Sequence, residues 1–231
     1  MLCALGIAKE ADVVSTALAI TELCSAYSLA GNGSDGYRSR LPLSSLQRMD
    51  CLPLQLKYTK GLACFREACR IAVECAASPM EAVLALLLCM PARLGGYGLP
   101  RPLLNPLLSS QGVNADKSFV LSGTSEHGAL YGDLVFEGRG LVVEYASKLN
   151  HADRWDQDML RANELLDMGF TVISVTPSEL FDQKRTHALV EKIARRLGLG
   201  LPLTRPGWNK VNAELRARLF AESGLQAGIC W

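Results

Sequence analysis

Between residues 131 and 176 the chain alternates apolar runs with breakers in an order that few folds accommodate. Strand-like stretches at 131–136 and 141–146 flank Glu137-Gly138-Arg139-Gly140; a helix is predicted over about 154–168, and another strand over 170–176. Strand, helix and strand from 141 to 176 form a β-α-β unit, so those two strands should run parallel with a right-handed crossover. Residues 170–175 are apolar on both faces, as in a central strand covered by helices. The hairpin before them adds an antiparallel pair. The expected class is therefore α/β, with a mixed central sheet flanked by helices.

The rest of the chain reads as helices around that unit. Leu5, Val13, Ala17, Ile20 and Leu23 recur at roughly helical spacing, predicting one helix or a pair over 2–29. This stretch starts apolar and without a capping residue, which predicts a further element upstream. Residues 30–42, with Gly31, Gly33 and Gly36, read as a linker. Helices are expected over 59–76 and 79–89, a proline-rich loop over 95–106 and a strand at 118–121. A long helix follows within 178–197, and a last one over 209–222 after Pro202 and Pro206. The implied division is a helical N-terminal extension (1–76), a core (77–200) and a C-terminal helical tail (201–231).

Composition narrows the function classes. Hydrophobic residues make up 49% and charged residues 20%, which predicts a packed core rather than disorder. A formal net charge of +1 argues against coating nucleic acid by bulk electrostatics, but permits a local basic groove. Residues 179–231 hold nine Lys/Arg against five Asp/Glu, either a phosphate-facing region or a solvated face. The longest apolar run, 82–92, is far short of the roughly 20 residues that span a bilayer. Lys9, Glu10 and Asp12 interrupt the start too early for a signal peptide. The eight cysteines form no C-x-x-C pair and read as free core thiols of a reducing compartment. A soluble, cytoplasmic protein is expected.

The hairpin is where chemistry enters. A two-residue type II′ turn with Gly138 at its first central position pairs Glu137 with Gly140 and, counting outward, Asp133 with Glu144. Both carboxylates then share one face, with Cβ atoms about 5 Å apart. Like charges directly opposed are destabilising unless a cation lies between them, and Mg²⁺ binds through one or two carboxylates, water and substrate phosphate. The alternative is a pair of solvated acids on an exposed hairpin. Ser78-Pro79-Met80-Glu81 reads as a capping box, with Glu81 reaching back to the Ser78 amide.

Gly132-Asp133-Leu134 followed by Val142-Val143-Glu144-Tyr145-Ala146 resembles the D…E-x-K signature of the PD-(D/E)XK nuclease superfamily. His151, Asp158, Arg161, Leu165 and Gly169-Phe170-Thr171-Val172-Ile173 are similar to a bacterial branch related to very-short-patch-repair endonucleases. That branch also carries a glutamate at the start of its first core helix, where this chain has Glu81. The resemblance covers about half the chain. It implies a restriction-endonuclease-like fold and phosphodiester hydrolysis in nucleic acid, DNA rather than RNA, assisted by Mg²⁺ or Mn²⁺ on Asp133 and Glu144, with Glu81 as a further ligand. The usual lysine two positions after the second acid is Ala146 here. Lys148 keeps the same strand parity and could reach back to stabilise developing charge. His151 could serve as a base, or be a surface residue. Arg161 could contact phosphate, or pair with Asp158 along the helix. The competing expectation is a nuclease-fold regulator, or antitoxin-like binding module, without chemistry. The helices of 1–76 offer a surface for a protein partner.

Overall fold

A computed structural model describes residues 2–29, 36–55, 59–114, 130–146, 155–200 and 206–222. The chain opens with α1 (Leu2–Glu10) and α2 (Val13–Leu23). They are separate helices because Asp12 leaves helical geometry and caps α2, its Oδ1 accepting from Val14 N at 3.0 Å and Ser15 N at 3.1 Å. A small antiparallel hairpin follows, β1 (Tyr27–Leu29) with β2 (Tyr37–Ser39), so the expected linker contributes a strand. Next come α3 (Leu46–Gln55), α4 (Leu62–Ile71) and α5 (Pro79–Cys89).

Short strands follow in quick succession: β3 (Leu103–Leu104), β4 (Leu107–Ser109), β5 (Gly112–Asn114), β6 (Leu130–Tyr131), β7 (Leu134–Phe136) and β8 (Leu141–Tyr145). The predicted strand at 118–121 lies outside the described residues. Helix α6 (Trp155–Asp167) leads to β9 (Thr171–Val175), and α7 (Pro177–Phe181), α8 (Gln183–Leu197) and α9 (Trp208–Glu222) complete the order. The long helix expected within 178–197 is α8, and the short α7 stands before it as a separate helix. Asp182 adopts extended geometry between them, and its carboxylate accepts from Arg185 N at 2.8 Å to start α8.

The central sheet has four strands in the order β3-β7-β8-β9. Strands β7 and β8 are antiparallel, β8 and β9 parallel across α6, and β3 closes one side antiparallel to β7. The sheet is thus mixed and the class α/β, as the pattern of 131–176 predicts. A second, three-stranded sheet of order β5-β4-β6 stands beside it.

The hairpin register is Leu134↔Val143, Val135↔Val142 and Phe136↔Leu141. This is the predicted pairing, reached through a different turn. Glu137–Arg139 form a 3-10 turn, and Gly140 (φ 54°) returns the chain into β8; Gly138 does not take the positive φ that a type II′ turn needs. A four-residue loop closed by Phe136 and Leu141 aligns the same partners as a two-residue loop closed one step later, so the register survives the change.

Alternation sorts the sheet onto two faces. Leu134, Phe136, Leu141, Val143, Ile173 and Val175 join the main core with α5, α8 and the N-terminal helices. Val135 and Val142 point the other way, to a smaller cluster with Leu108, Leu165 of α6 and Phe170. The main cluster is continuous from Ala4 to Phe220, so the N-terminal helices and α9 share it with the sheet. Helix α9 lies flush against the Gly95-Gly96 backbone. Trp208 Nε1 donates to Gly96 O at 3.3 Å and Asn212 Nδ2 to Gly95 O at 2.7 Å. A Cβ on Gly96 would sit 2.0 Å from Met90 O, so no side chain fits there. Among the described residues no helix is long and apolar enough to cross a membrane, and the seven described cysteines are free thiols.

A candidate acidic active site

Three carboxylates approach one another where the start of α5 meets the β7–β8 hairpin. Ser78 is the N-cap of α5, and its Oγ accepts from Glu81 N at 3.3 Å. The reciprocal half of the expected capping box is displaced by one residue. Glu81 Oε2 accepts from Ala77 N at 2.9 Å, and its Oε1 accepts from the Ser78 hydroxyl at 2.8 Å. Glu81 is 8% exposed, and every one of its helix neighbours through Leu88 is buried.

Asn105 ties this helix start to the sheet. Its Nδ2 donates to Glu81 Oε2 at 2.7 Å and to Cys75 O at 3.0 Å, while its main-chain N donates to Asp133 O at 3.1 Å. Asn105 (φ 50°) and Cys75 (φ 71°) are the two non-glycine residues at positive φ among those described, and this hydrogen bond joins them. Backbone held in such sparsely populated regions collects at functional sites.

Asp133 stands at the step before β7, and its Oδ2 accepts from Tyr145 N at 2.8 Å. Glu144 lies in β8, one step beyond the Leu134↔Val143 pair, and its carboxylate is hydrogen-bonded by the Asp133 main-chain amide. Glu144 has the parity of Val142, which sets it on the face covered by α6, while Asp133 stands at the sheet's end, between Tyr145 N and the Glu81 charge. Arg161 of α6 reaches down to that face, its Nη2 lying 3.3 Å from both Glu144 carboxylate oxygens and donating also to Tyr131 O. The Arg161 Nε is buried and has no hydrogen-bond partner among the described residues.

Burial and mutual repulsion set the electrostatics. Burial first, then the Asp133 charge, pushes Glu81 up to about 7, against hydrogen bonds from Asn105, Ala77 and Ser78. The same two causes raise Glu144 to about 7, although Arg161 opposes them. Burial also raises Asp133, opposed by the Tyr145 amide and by Arg161.

Among the described residues no three His, Cys, Asp or Glu side chains are gathered closely enough to hold a metal ion as they stand. The donors that do meet are carboxylate oxygens, the type that hard divalent cations take. Both oxygens of Glu81 are engaged by Ala77, Ser78 and Asn105, and both of Glu144 by Arg161, whereas Asp133 is held through Oδ2 by the Tyr145 amide. A cation between Asp133 and Glu144 would have to displace Arg161 from Glu144. Of the residues singled out from sequence, Asp133, Glu144, Glu81 and Arg161 meet here. Lys148 and His151 lie outside the described residues, as does the Asp158 side chain. The Arg161 guanidinium bonds Glu144 and Tyr131, a strand contact that helix spacing does not reveal. Asn105 escaped the sequence reading, and Cys75, expected inside a helix over 59–76, lies beyond the end of α4 at Ile71 with a positive φ. The one available signal was Asn-Pro at 105–106, a turn-forming pair whose asparagine tolerates positive φ.

A scan against protein-family models finds no match to this chain, and searches of curated proteins and of solved structures find none either.

Proposed function

We propose that the chain is a metal-dependent endonuclease of the restriction-endonuclease-like type, hydrolysing phosphodiester bonds in nucleic acid, DNA in the first instance. The observation that carries this reading is the meeting of two half-buried carboxylates at the open end of the β7–β8 hairpin, where the Asp133 amide bonds the Glu144 carboxylate and the Arg161 cation stands beside Glu144. The hairpin, crossover helix and parallel strand supply the frame, and Glu81 at the start of α5 supplies a further acid at its edge.

Asp133 and Glu144 are the residues that would hold Mg²⁺ or Mn²⁺, which when bound acts as a Lewis acid and lowers the pKa of water. Arg161 serves the substrate: a guanidinium shared between Glu144 and a phosphodiester oxygen fixes the strand beside the acids. Lys148 and His151 follow β8 in sequence and are the remaining candidates for stabilising charge and moving a proton.

A second reading has its own support. Arg161 already neutralises Glu144, and Ala146 stands where the superfamily signature carries lysine. A nuclease fold without chemistry, acting as a regulator that binds nucleic acid or protein, would keep both features. One experiment separates the two: the wild type and Asp133→Asn are incubated with supercoiled, linear and single-stranded DNA and with RNA, each in Mg²⁺ or Mn²⁺. Cleavage by the wild type and its loss in Asp133→Asn establish the nuclease. Absence of cleavage on every substrate gives the regulator the lead, and equal cleavage by both proteins sinks the carboxylate assignment.

A further inference from the structure

At the far end of α5 from Glu81 lies a cleft of about 640 Å³ with a different chemistry. Its charged groups are Arg70, Arg93, Arg101 and Glu67, and its apolar surface comes from Ile71, Leu99 and Pro91. Glu67 is paired with Arg93, and Arg101 donates to the main-chain oxygen of Arg70. The Arg70 guanidinium has no acceptor among the described residues. The cleft therefore carries two positive charges beyond its one ion pair, set around a buried floor of Ile71 and Leu99. Cationic groups gathered without a counter-charge repel one another, and an anion between them removes that cost. The apolar floor suits the apolar part of a ligand of nucleotide size.

The walls are rigid. Tyr97 N donates to Leu87 O at 3.1 Å, Gly98 N to Met90 O at 2.9 Å and Leu99 N to Leu88 O at 2.9 Å. These bonds satisfy the last carbonyls of α5 and hold the segment between Arg93 and Arg101 against the helix. The thiol of Cys89 donates to Pro100 O at 3.5 Å; burial pushes its pKa up to about 12, so no thiolate opposes an anion there.

We propose that this cleft binds a terminal phosphate group, carried by a free nucleotide or by the 5′ end of a nucleic-acid strand. A terminal phosphate offers two negative charges and three oxygens to forked guanidiniums, where a phosphodiester offers one charge and two oxygens. The inference does not depend on the nuclease reading, because it requires neither metal nor cleavage.

The test is calorimetric titration of the full chain, free of metal, with adenosine 5′-monophosphate, adenosine, and one short oligonucleotide bearing either a 5′-phosphate or a 5′-hydroxyl. The phosphorylated member of each pair should bind and the other should not. Arg70→Gln should weaken that binding about ten-fold or more through loss of a charge-assisted fork, and Arg70→Lys should restore only part of it. Arg70 is exposed, so its replacement leaves the fold intact. Tighter binding of the phosphorylated oligonucleotide than of the mononucleotide assigns the site to a strand end, and the reverse assigns it to a free nucleotide. Equal binding with and without the phosphate, or an affinity unchanged in Arg70→Gln, overturns the proposal.

Discussion

The two ends of α5 make opposite use of one apolar rod. At its start, Glu81 is buried beside Asp133 and near Glu144, with two residues at positive φ holding the junction. At its end, eight residues and about 12 Å further along, arginines stand exposed around a floor of well-packed aliphatic side chains. The acids are costly to keep because burial and repulsion act against their charge; the arginines remain in water and cost the fold little. The difference teaches that stability experiments should register the acidic end strongly and the basic end hardly at all, whatever each one binds.

The largest expected effect lies between the ends. Leu84 is fully buried at mid-helix, and Leu84→Ala should lower unfolding free energy by about 2–5 kcal/mol in a denaturant titration. A loss well under that range would mean the rod does not brace the two sites in common. Next in size is the strained junction. Asn105→Ala keeps the positive φ without the amide that bridges Glu81 and Cys75, and should cost about 1–3 kcal/mol. Asn105→Gly tolerates the same φ and should cost less than Asn105→Ala. Equal losses would place the whole cost in the hydrogen bonds and none in the backbone.

The acidic end should also give metal-free stability an inverted pH dependence. Glu81 and Glu144 titrate near 7 in the folded chain, against an ordinary value of 4.5. The folded state thus holds protons that the unfolded state releases. The stability this contributes is fully present below about 4.5 and is lost as pH rises through 7. Thermal midpoints should therefore climb as pH falls from 8 towards 5. Glu81→Gln should flatten part of that slope and stabilise the protein at pH 8. Its amide oxygen can accept from Ala77 and Asn105, while its NH₂ donates to Ser78 Oγ. A wild-type midpoint that rises from pH 5 to pH 8 would count against the buried-acid cluster. Smallest of all, Arg70→Gln should move stability by no more than about 0.5 kcal/mol, as an exposed side chain without partners among the described residues should; a larger shift would reveal a structural role for the arginine in the cleft.

How much of this could be read from sequence depended on the range of the interaction. The hairpin, the crossover helix and β9 rest on patterns within 46 residues, and they form where those patterns put them; β9, however, is the edge strand of the described sheet rather than a central one, with Ser174 exposed. Asp133 and Glu144 could be paired because register follows from counting, and counting tolerated the wrong turn type. Helix α3 was hidden by Pro53 within it, and the Asp182 break by the unbroken helical composition on either side. Asn105 was invisible for another reason. Its partners Cys75, Glu81 and Asp133 lie 24 to 30 residues away in both directions, and no local pattern marks such a junction. The arginine cleft assembles from α4, the segment after α5 and the approach to β3, so its charges are scattered singly along the chain.

The sealing of α5 has a consequence for exchange with solvent. From Ala82 to Leu88 no residue is more than 1% exposed, and the surrounding core runs unbroken from Ala4 to Phe220. Amide hydrogens at the centre of this helix should trade for deuterium only when the entire core opens, so their lifetimes time global unfolding. A ligand held by the folded chain at either end lengthens those lifetimes by the factor 1 + [L]/Kd. The same few central amides would then report occupancy of the acidic end and of the basic end alike, without a label and without any movement of the helix.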